Sequence, residues 1–109
     1  MSSGSNASPS QLGKGRTESN VVTVGTSAQR LVRPNPQRRE LIIQNRGTSD
    51  IFIDNTENPS TTTSLIVQSD GGEVVLLKEE DGDLVIDKWV AISTVAGQSV
   101  KVIEVLDYK

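Results

Sequence analysis

Four carboxylates crowd into the five residues Glu79-Glu80-Asp81-Gly82-Asp83. An oxygen-rich run of this kind suits a hard cation, but the alternating ligand positions and closing bidentate glutamate of a calcium loop are missing. The run reads as a solvated turn, and no metal site is assigned to it. Arg38 and Arg39 stand at the entry to an apolar run. Their planar guanidinium forks match carboxylates in a two-point geometry, which makes them candidates for docking a partner. Phe52 and Trp89 belong to the aromatic class enriched at interfaces, so each is a candidate anchor, with Trp89 equally suited to a core.

The chain contains no Cys and no His. Thiol nucleophiles, disulfide staples, the usual zinc ligands and the commonest general base are therefore all missing from the inventory. A two-carboxylate glycosidase would still have its acid and base. Such enzymes grip sugar rings in aromatic clefts, whereas Phe52, Trp89 and Tyr108 are the whole aromatic complement here. The chain reads as a non-enzyme, with no catalytic residue and no cofactor assigned.

Charge is unevenly distributed along the 109 residues. Residues 1–48 carry seven basic and two acidic side chains, a net of +5, and residues 49–109 carry four Lys against twelve acids, a net of −8. If the halves became faces, the molecule would dock head to tail or onto a charged surface, using the basic residues Lys14, Arg16, Arg38 and Arg39. If strands from the two halves interleave, the asymmetry vanishes in space. No aromatic run accompanies the basic residues, so nucleic-acid binding is not expected. No stretch approaches the roughly 18 consecutive apolar residues of a membrane helix, and membrane contact is not expected either.

The elements that must position these residues are strands. Val and Ile number 21 against 8 Leu and 4 Ala, which favours a pleated fold over a helical one. Residues 1–20 hold six Ser, three Gly and only Leu12 as a sizeable apolar side chain, and read as a flexible arm. They show neither a basic n-region nor an apolar h-region, so synthesis in the cytoplasm is expected. Residues 21–109 form the domain. Strands are predicted at 21–24, 29–32, 39–45, 50–54, 64–68, 73–78, 84–86, 89–95 and 100–106. They are punctuated by Pro34-Asn35-Pro36, Asp70-Gly71-Gly72, Asp81-Gly82-Asp83 and Ala96-Gly97-Gln98. Such spacing argues for a small all-β sandwich or jelly-roll-like barrel.

Within it, Leu41-Ile42-Ile43 and Ile51-Phe52-Ile53 flank a turn-forming Asn45–Asp50 segment and read as a hairpin, with Gly47 free to take positive φ. Alternation places Leu41, Ile43 and Asn45 on one face of the first strand and Glu40, Ile42 and Gln44 on the other. Several runs are apolar on both faces, including Val74-Val75-Leu76-Leu77. In an isolated sandwich the outer face should be polar, so these runs predict a subunit interface, and a homotrimer is the expected form.

The pattern Pro34-x-Pro-x-Arg-x-x-Leu-x-Ile-x-Asn-x-Gly-x-x-x-Ile-x-Ile53 resembles small structural proteins of tailed bacteriophages. So does Trp89-Val-Ala-Ile-Ser93 followed by Gly97 and Val100-Lys-Val-Ile-Glu104. The resemblance covers most of residues 21–106 and extends to capsid decoration (cement) and head-fibre subunits. It implies a compact, often trimeric sandwich on the virion surface that binds and bridges the major capsid protein. Two other placements fit the same fold: a neck, tail or fibre-base component, and a carbohydrate-binding module for host attachment. The poverty of aromatic sugar platforms counts against the last.

Overall fold

Branched side chains at every second position build two antiparallel sheets. The computed structural model describes residues 15–107. Its strands are β1 (Gly15–Val24), β2 (Gln29–Val32), β3 (Arg38–Asn45), β4 (Ile51–Asp54), β5 (Leu65–Val67), β6 (Glu73–Leu77), β7 (Trp89–Ser93) and β8 (Gln98–Asp107). A single helical turn, α1 (Lys78–Asp81), and a 3-10 segment, Gly82–Ile86, separate β6 from β7. One sheet has the order β1-β8-β3-β6 and the other β2-β7-β4-β5. Strand pairs 4–5, 3–6, 2–7 and 1–8 are thus nested, as in one long hairpin rolled upon itself. This is the jelly-roll order.

The sheets enclose one core. Leu41, Ile43, Val100 and Val102 come from the first sheet, Ile51, Ile53, Trp89 and Ala91 from the second, and Val85 closes one end. Along β3 the expected alternation holds, with Leu41, Ile43 and Asn45 buried and Glu40, Ile42 and Gln44 half-buried on the other side.

Expectations are corrected at the hairpin, at Gly47, at residues 84–86 and at the start of the domain. The Leu41–Ile53 segment is not a hairpin. β3 pairs with β6 and β8, β4 pairs with β5 and β7, and residues 46–50 carry the chain from one sheet to the other. Buried Asn45 builds that corner: its Nδ2 donates to the carbonyls of Ser49 and Val67, both at 2.9 Å, and its Oδ1 accepts from the Gly47 N–H at 2.8 Å. Gly47 serves close approach rather than positive φ. A β-carbon there would collide with the side chain of Gln98, whose Oε1 accepts from the Ser49 N–H at 2.9 Å.

The expected strand at 84–86 is instead the 3-10 segment. Its carbonyls are taken by side chains and by a loop N–H rather than by the backbone of a neighbouring strand. Trp89 Nε1 donates to Leu84 O at 3.0 Å, Arg38 Nη1 to Val85 O at 2.9 Å, and the Asn35 N–H to Ile86 O at 2.8 Å. Backbone acceptors satisfied in this way need no ladder.

The boundary between arm and domain also moves. β1 starts at Gly15, and residues 15–20 pair in unbroken register with residues 107–102 of β8. A polar edge strand needs backbone partners more than apolar side chains, and the long β8 supplies them. Residues 1–14 lie outside the described residues.

Of the two outcomes open to the charge asymmetry, the first sheet shows the interleaved one. In the first sheet, strands of the basic half (β1, β3) alternate with strands of the acidic half (β8, β6).

Candidate interaction surfaces

The sequence candidates part company once placed. Arg38 is only 1% exposed. Strict alternation from Leu41 would send Arg39 inward, but the register of β3 against β8 shifts between Arg38 and Glu40. That bulge moves the alternation by one residue and turns Arg38 into the interior. There Nε and Nη2 donate to Glu104 Oε2 at 2.9 and 2.7 Å, Nη1 to the carbonyls of Val85 and Asp87 at 2.9 and 3.0 Å, and Nη2 to Arg33 O at 2.6 Å. These five bonds match the five N–H donors of a guanidinium. Arg38 is a clasp joining β3, β8, the 3-10 segment and the Pro34–Pro36 loop, and it has no free donor for a partner.

Trp89 is likewise a core residue, 3% exposed, with its indole N–H bonded to Leu84 O. It anchors no exposed surface. Arg39 and Arg16 are exposed, but each faces an acid: Arg39 Nε lies 3.8 Å from Asp107 Oδ1, and Arg16 Nε lies 3.3 Å from Glu18 Oε2. They also sit on opposite sides of the sheet, since Arg16 pairs with Leu106, which points into the core, and Asp107 is its outward neighbour. Lys14 lies outside the described residues. The expected basic docking cluster therefore does not form among the described residues. Among the described candidates, Phe52 is the aromatic one that the fold leaves on the outside, half-buried on the outer face of β4.

The acidic run of residues 79–83 forms α1 and the start of the 3-10 segment, where Asp81 Oδ2 accepts from the Leu77 N–H at 2.8 Å. Among the described residues no group of three or more acids is arranged to hold a metal ion. Two open grooves of about 420 and 400 Å³ lie along β2 and at the Arg39–Asp107 end of the first sheet. A smaller one, about 230 Å³, lies by Asp54, Asn55 and Ser64. There Ser64 Oγ donates to Asp54 Oδ2 at 3.0 Å, and Asn55 Nδ2 donates to Asp87 Oδ2 at 3.1 Å. The two carboxylates are occupied in closing the loop that follows β4.

Register reveals what single strands could not: apolar rows crossing the outer face of each sheet. On the first sheet Ile103 pairs with Ile42, and Ile42 with Val75. Directly opposed residues of antiparallel strands share a face, so these three form one row. The next outward row on one side is Val105-Glu40-Leu77, and on the other Val21-Lys101-Gln44-Glu73. Val75 is 43% exposed and Val21 63%. On the second sheet Ile92 pairs with Phe52, and Phe52 with Ile66, which is 56% exposed. This row lies at the end of that sheet and is flanked on its inner side by Arg30-Val90-Asp54. Ile42, Ile66, Val75, Ile92 and Ile103 were not singled out as site residues from the sequence. The two-sided apolar runs were the available signal, but only pairing register joins them into rows.

The chain matches no protein-family model and no curated protein. Among solved structures it is similar to one of Bacillus endospore appendages, described as a novel family of disulfide-linked pili, with a TM-score of 0.51 and 10% sequence identity. The match covers 86% of this chain and 88% of that one. At that identity the likeness is one of fold, and this chain holds none of the cysteines a disulfide link requires.

Proposed function

We propose that this protein is a non-enzymatic structural subunit that works as one of many copies in a larger assembly. The observation that carries this reading is the pair of apolar rows on the outer faces of a sandwich whose core is already filled. Exposed apolar patches of this kind on a small domain are characteristic of sites covered by another protein. In its specific form the assembly is the head of a tailed bacteriophage, with the subunit decorating the capsid surface, self-associating and bridging major capsid proteins, as the resemblance of Pro34–Ile53 and Trp89–Glu104 implies. Many weak contacts summed over a lattice give firm attachment without a deep pocket on any one copy. Phe52, with Ile92 and Ile66, supplies the apolar contact to the shell.

A second reading, a fibre or fibre-base component, draws support from the fold likeness to an endospore pilus. The test is quantitation of this chain against the major capsid protein in purified particles of the phage that encodes it, with imaging of the particles by cryo-electron microscopy. A fixed stoichiometry spread over the head supports decoration. A few copies at one vertex or along a fibre move the protein to the second reading, and absence from particles overturns both.

A further inference from the structure

We propose that β1 is a docking edge whose occupant is the β1 strand of a second copy, paired antiparallel about a two-fold axis at Thr17. The pairing rests on the structural-subunit reading and deepens it by naming the partner of one sheet edge. An edge strand offers unpaired N–H and C=O groups to any other strand, and proteins guard such edges with short length, bulges, Pro or Lys. Three of the four edges here are short. β5 has three residues, β2 has four and a register shift between Arg30 and Val32, and β6 has five and runs straight into α1. β1 has ten residues, holds neither Pro nor Lys, and follows β8 without a shift. Among the described residues it pairs with no strand but β8 and makes no backbone bond to a loop, and residues 16–21 are all exposed.

The charges on this edge select both the partner and the register. Arg16 and Glu18 share the face of Leu106 and Glu104, their pairs on β8, and form an exposed ion pair at 3.3 Å. Two charges of one sign would repel a second copy, but one of each complements itself when the strand is run antiparallel. With the axis at Thr17, Arg16 lies opposite the partner's Glu18, Glu18 opposite the partner's Arg16, and Thr17 opposite the partner's Thr17. Directly opposed side chains lie about 4.5–5.5 Å apart at Cβ and diagonal ones about 7–8 Å. Each charge therefore meets the opposite sign directly across the interface and its own sign only on the longer diagonal. The acid beside Glu18, Glu104, is already held by Arg38 at 2.7 Å. The other face of β1 carries no charge from Gly15 to Thr23.

An axis one residue to either side stacks Arg16 on Arg16 or Glu18 on Glu18. An axis at Ser19 or Asn20 sets both charges against uncharged residues. Self-complementarity about one point is what an isologous contact requires, and the main-chain ladder supplies the adhesion. The edge joins chains two by two, so it does not build the three-fold ring expected from sequence. It belongs to the other sheet from the Phe52 row and leaves that row free.

The chain has no cysteine, so a single introduced thiol reports the register. Thr17 faces itself across the axis, whereas the two copies of Asn20 stand six residues apart, about 20 Å at ~3.4 Å per residue. Mild oxidation of the full chain should give a disulfide-linked dimer from Thr17→Cys and little from Asn20→Cys. Sedimentation equilibrium then compares the wild type with Arg16→Glu, Glu18→Arg and the Arg16→Glu/Glu18→Arg double variant, with thermal unfolding as the check of each fold. The expected result is pairwise association of the wild type, about tenfold weaker association of each single variant because two like-charge contacts replace two attractive ones, and recovery in the double variant. A wild type that stays monomeric at about 100 μM overturns the proposal. So does equal cross-linking at the two positions, or a double variant no better than the worse single one. Wild-type loading of particles without pairing in solution overturns this edge contact alone, whereas pairing in solution with absence from particles overturns the phage-head reading alone.

Discussion

Both faces of β3 mix apolar and polar residues, two and two inward against one and three outward, yet they do opposite jobs. Arg38, Leu41, Ile43 and Asn45 point inward and are buried, while Arg39, Glu40, Ile42 and Gln44 point outward. Inside, each polar group is enclosed by partners of this chain: Arg38 by one carboxylate and three carbonyls, Asn45 by two carbonyls and an N–H. Outside, Glu40 makes no ion pair among the described residues, and half-buried Ile42 lies in register between Ile103 and Val75. The inner face therefore specifies the fold, and the outer face is where the proposed contacts lie. The lesson is that hydrophobicity alone does not separate the two roles. Burial of the polar groups does: Arg38 and Asn45 are enclosed, whereas Arg39 and Gln44 meet their partners at the exposed surface.

The largest effect is expected on the inner face. Arg38→Ala strands the half-buried Glu104 and three backbone carbonyls, and removing one member of a buried pair typically costs about 3–5 kcal/mol. Urea unfolding should show a loss of that order, accompanied by proteolytic sensitivity in residues 82–88. Replacing Arg38 and Glu104 together, by Met and Leu, should recover a large part of it, because no buried charge is then left alone. A loss below about 1 kcal/mol for Arg38→Ala would mean the clasp is open in solution.

At the other end of β3, Asn45→Ala leaves two carbonyls and the Gly47 N–H unpartnered at the corner between sheets. Each unsatisfied buried group costs about 1–3 kcal/mol, and with partial hydration of the corner we expect a net loss of about 2–3 kcal/mol by denaturant titration. Asn45→Asp keeps the acceptor for Gly47 but loses both donated bonds, so it should be no more stable than the Ala variant.

The outer faces should answer differently. Phe52→Ser is expected to leave the denaturation midpoint within about 1 kcal/mol of wild type, since Phe52 is half-buried above a complete core. On the proposed decoration role it should lower occupancy of phage heads at least severalfold. An unfolded Phe52→Ser protein would show that the outer row is needed for folding and remove it from the interaction surface.

The smallest effects belong to the surface ion pairs. Arg39→Ala and Arg16→Ala remove contacts to Asp107 and Glu18 on exposed groups. Exposed pairs are worth about 0.2–1 kcal/mol and are screened by salt. Both variants should be nearly silent in stability and in particle binding. Strong loss of binding in either one would restore the basic docking surface and demote Phe52.

The sequence carried the strand count closely because strand signals are local. Branched residues at period two, broken by Pro34-Asn35-Pro36 or Asp70-Gly71-Gly72, need no knowledge of what lies opposite. The inner face of β3 was legible from Leu41 to Asn45 for the same reason. Legibility failed one step earlier, at Arg38 and Arg39. A bulge is a property of two strands in register, and nothing in the single strand distinguishes the residue it turns inward from the one it turns out.

The remaining errors share that physical origin. Leu41-Ile42-Ile43 and Ile51-Phe52-Ile53 look like hairpin partners because they are close in sequence, but a rolled sandwich spends its short connections crossing between sheets. Residues 84–86 look like a strand until Arg38, Asn35 and Trp89 arrive from elsewhere to take their carbonyls. Residues 15–20 look like tail until β8 offers them a ladder. Composition by itself determined an all-β chain, left it without Cys or His, and made apolar runs that no single core face absorbs. Only the tertiary structure decided which arginine is buried, which strands are neighbours, and which scattered isoleucines line up as a surface. Each of those depends on contacts between residues far apart in the chain, and such contacts leave no periodicity to read.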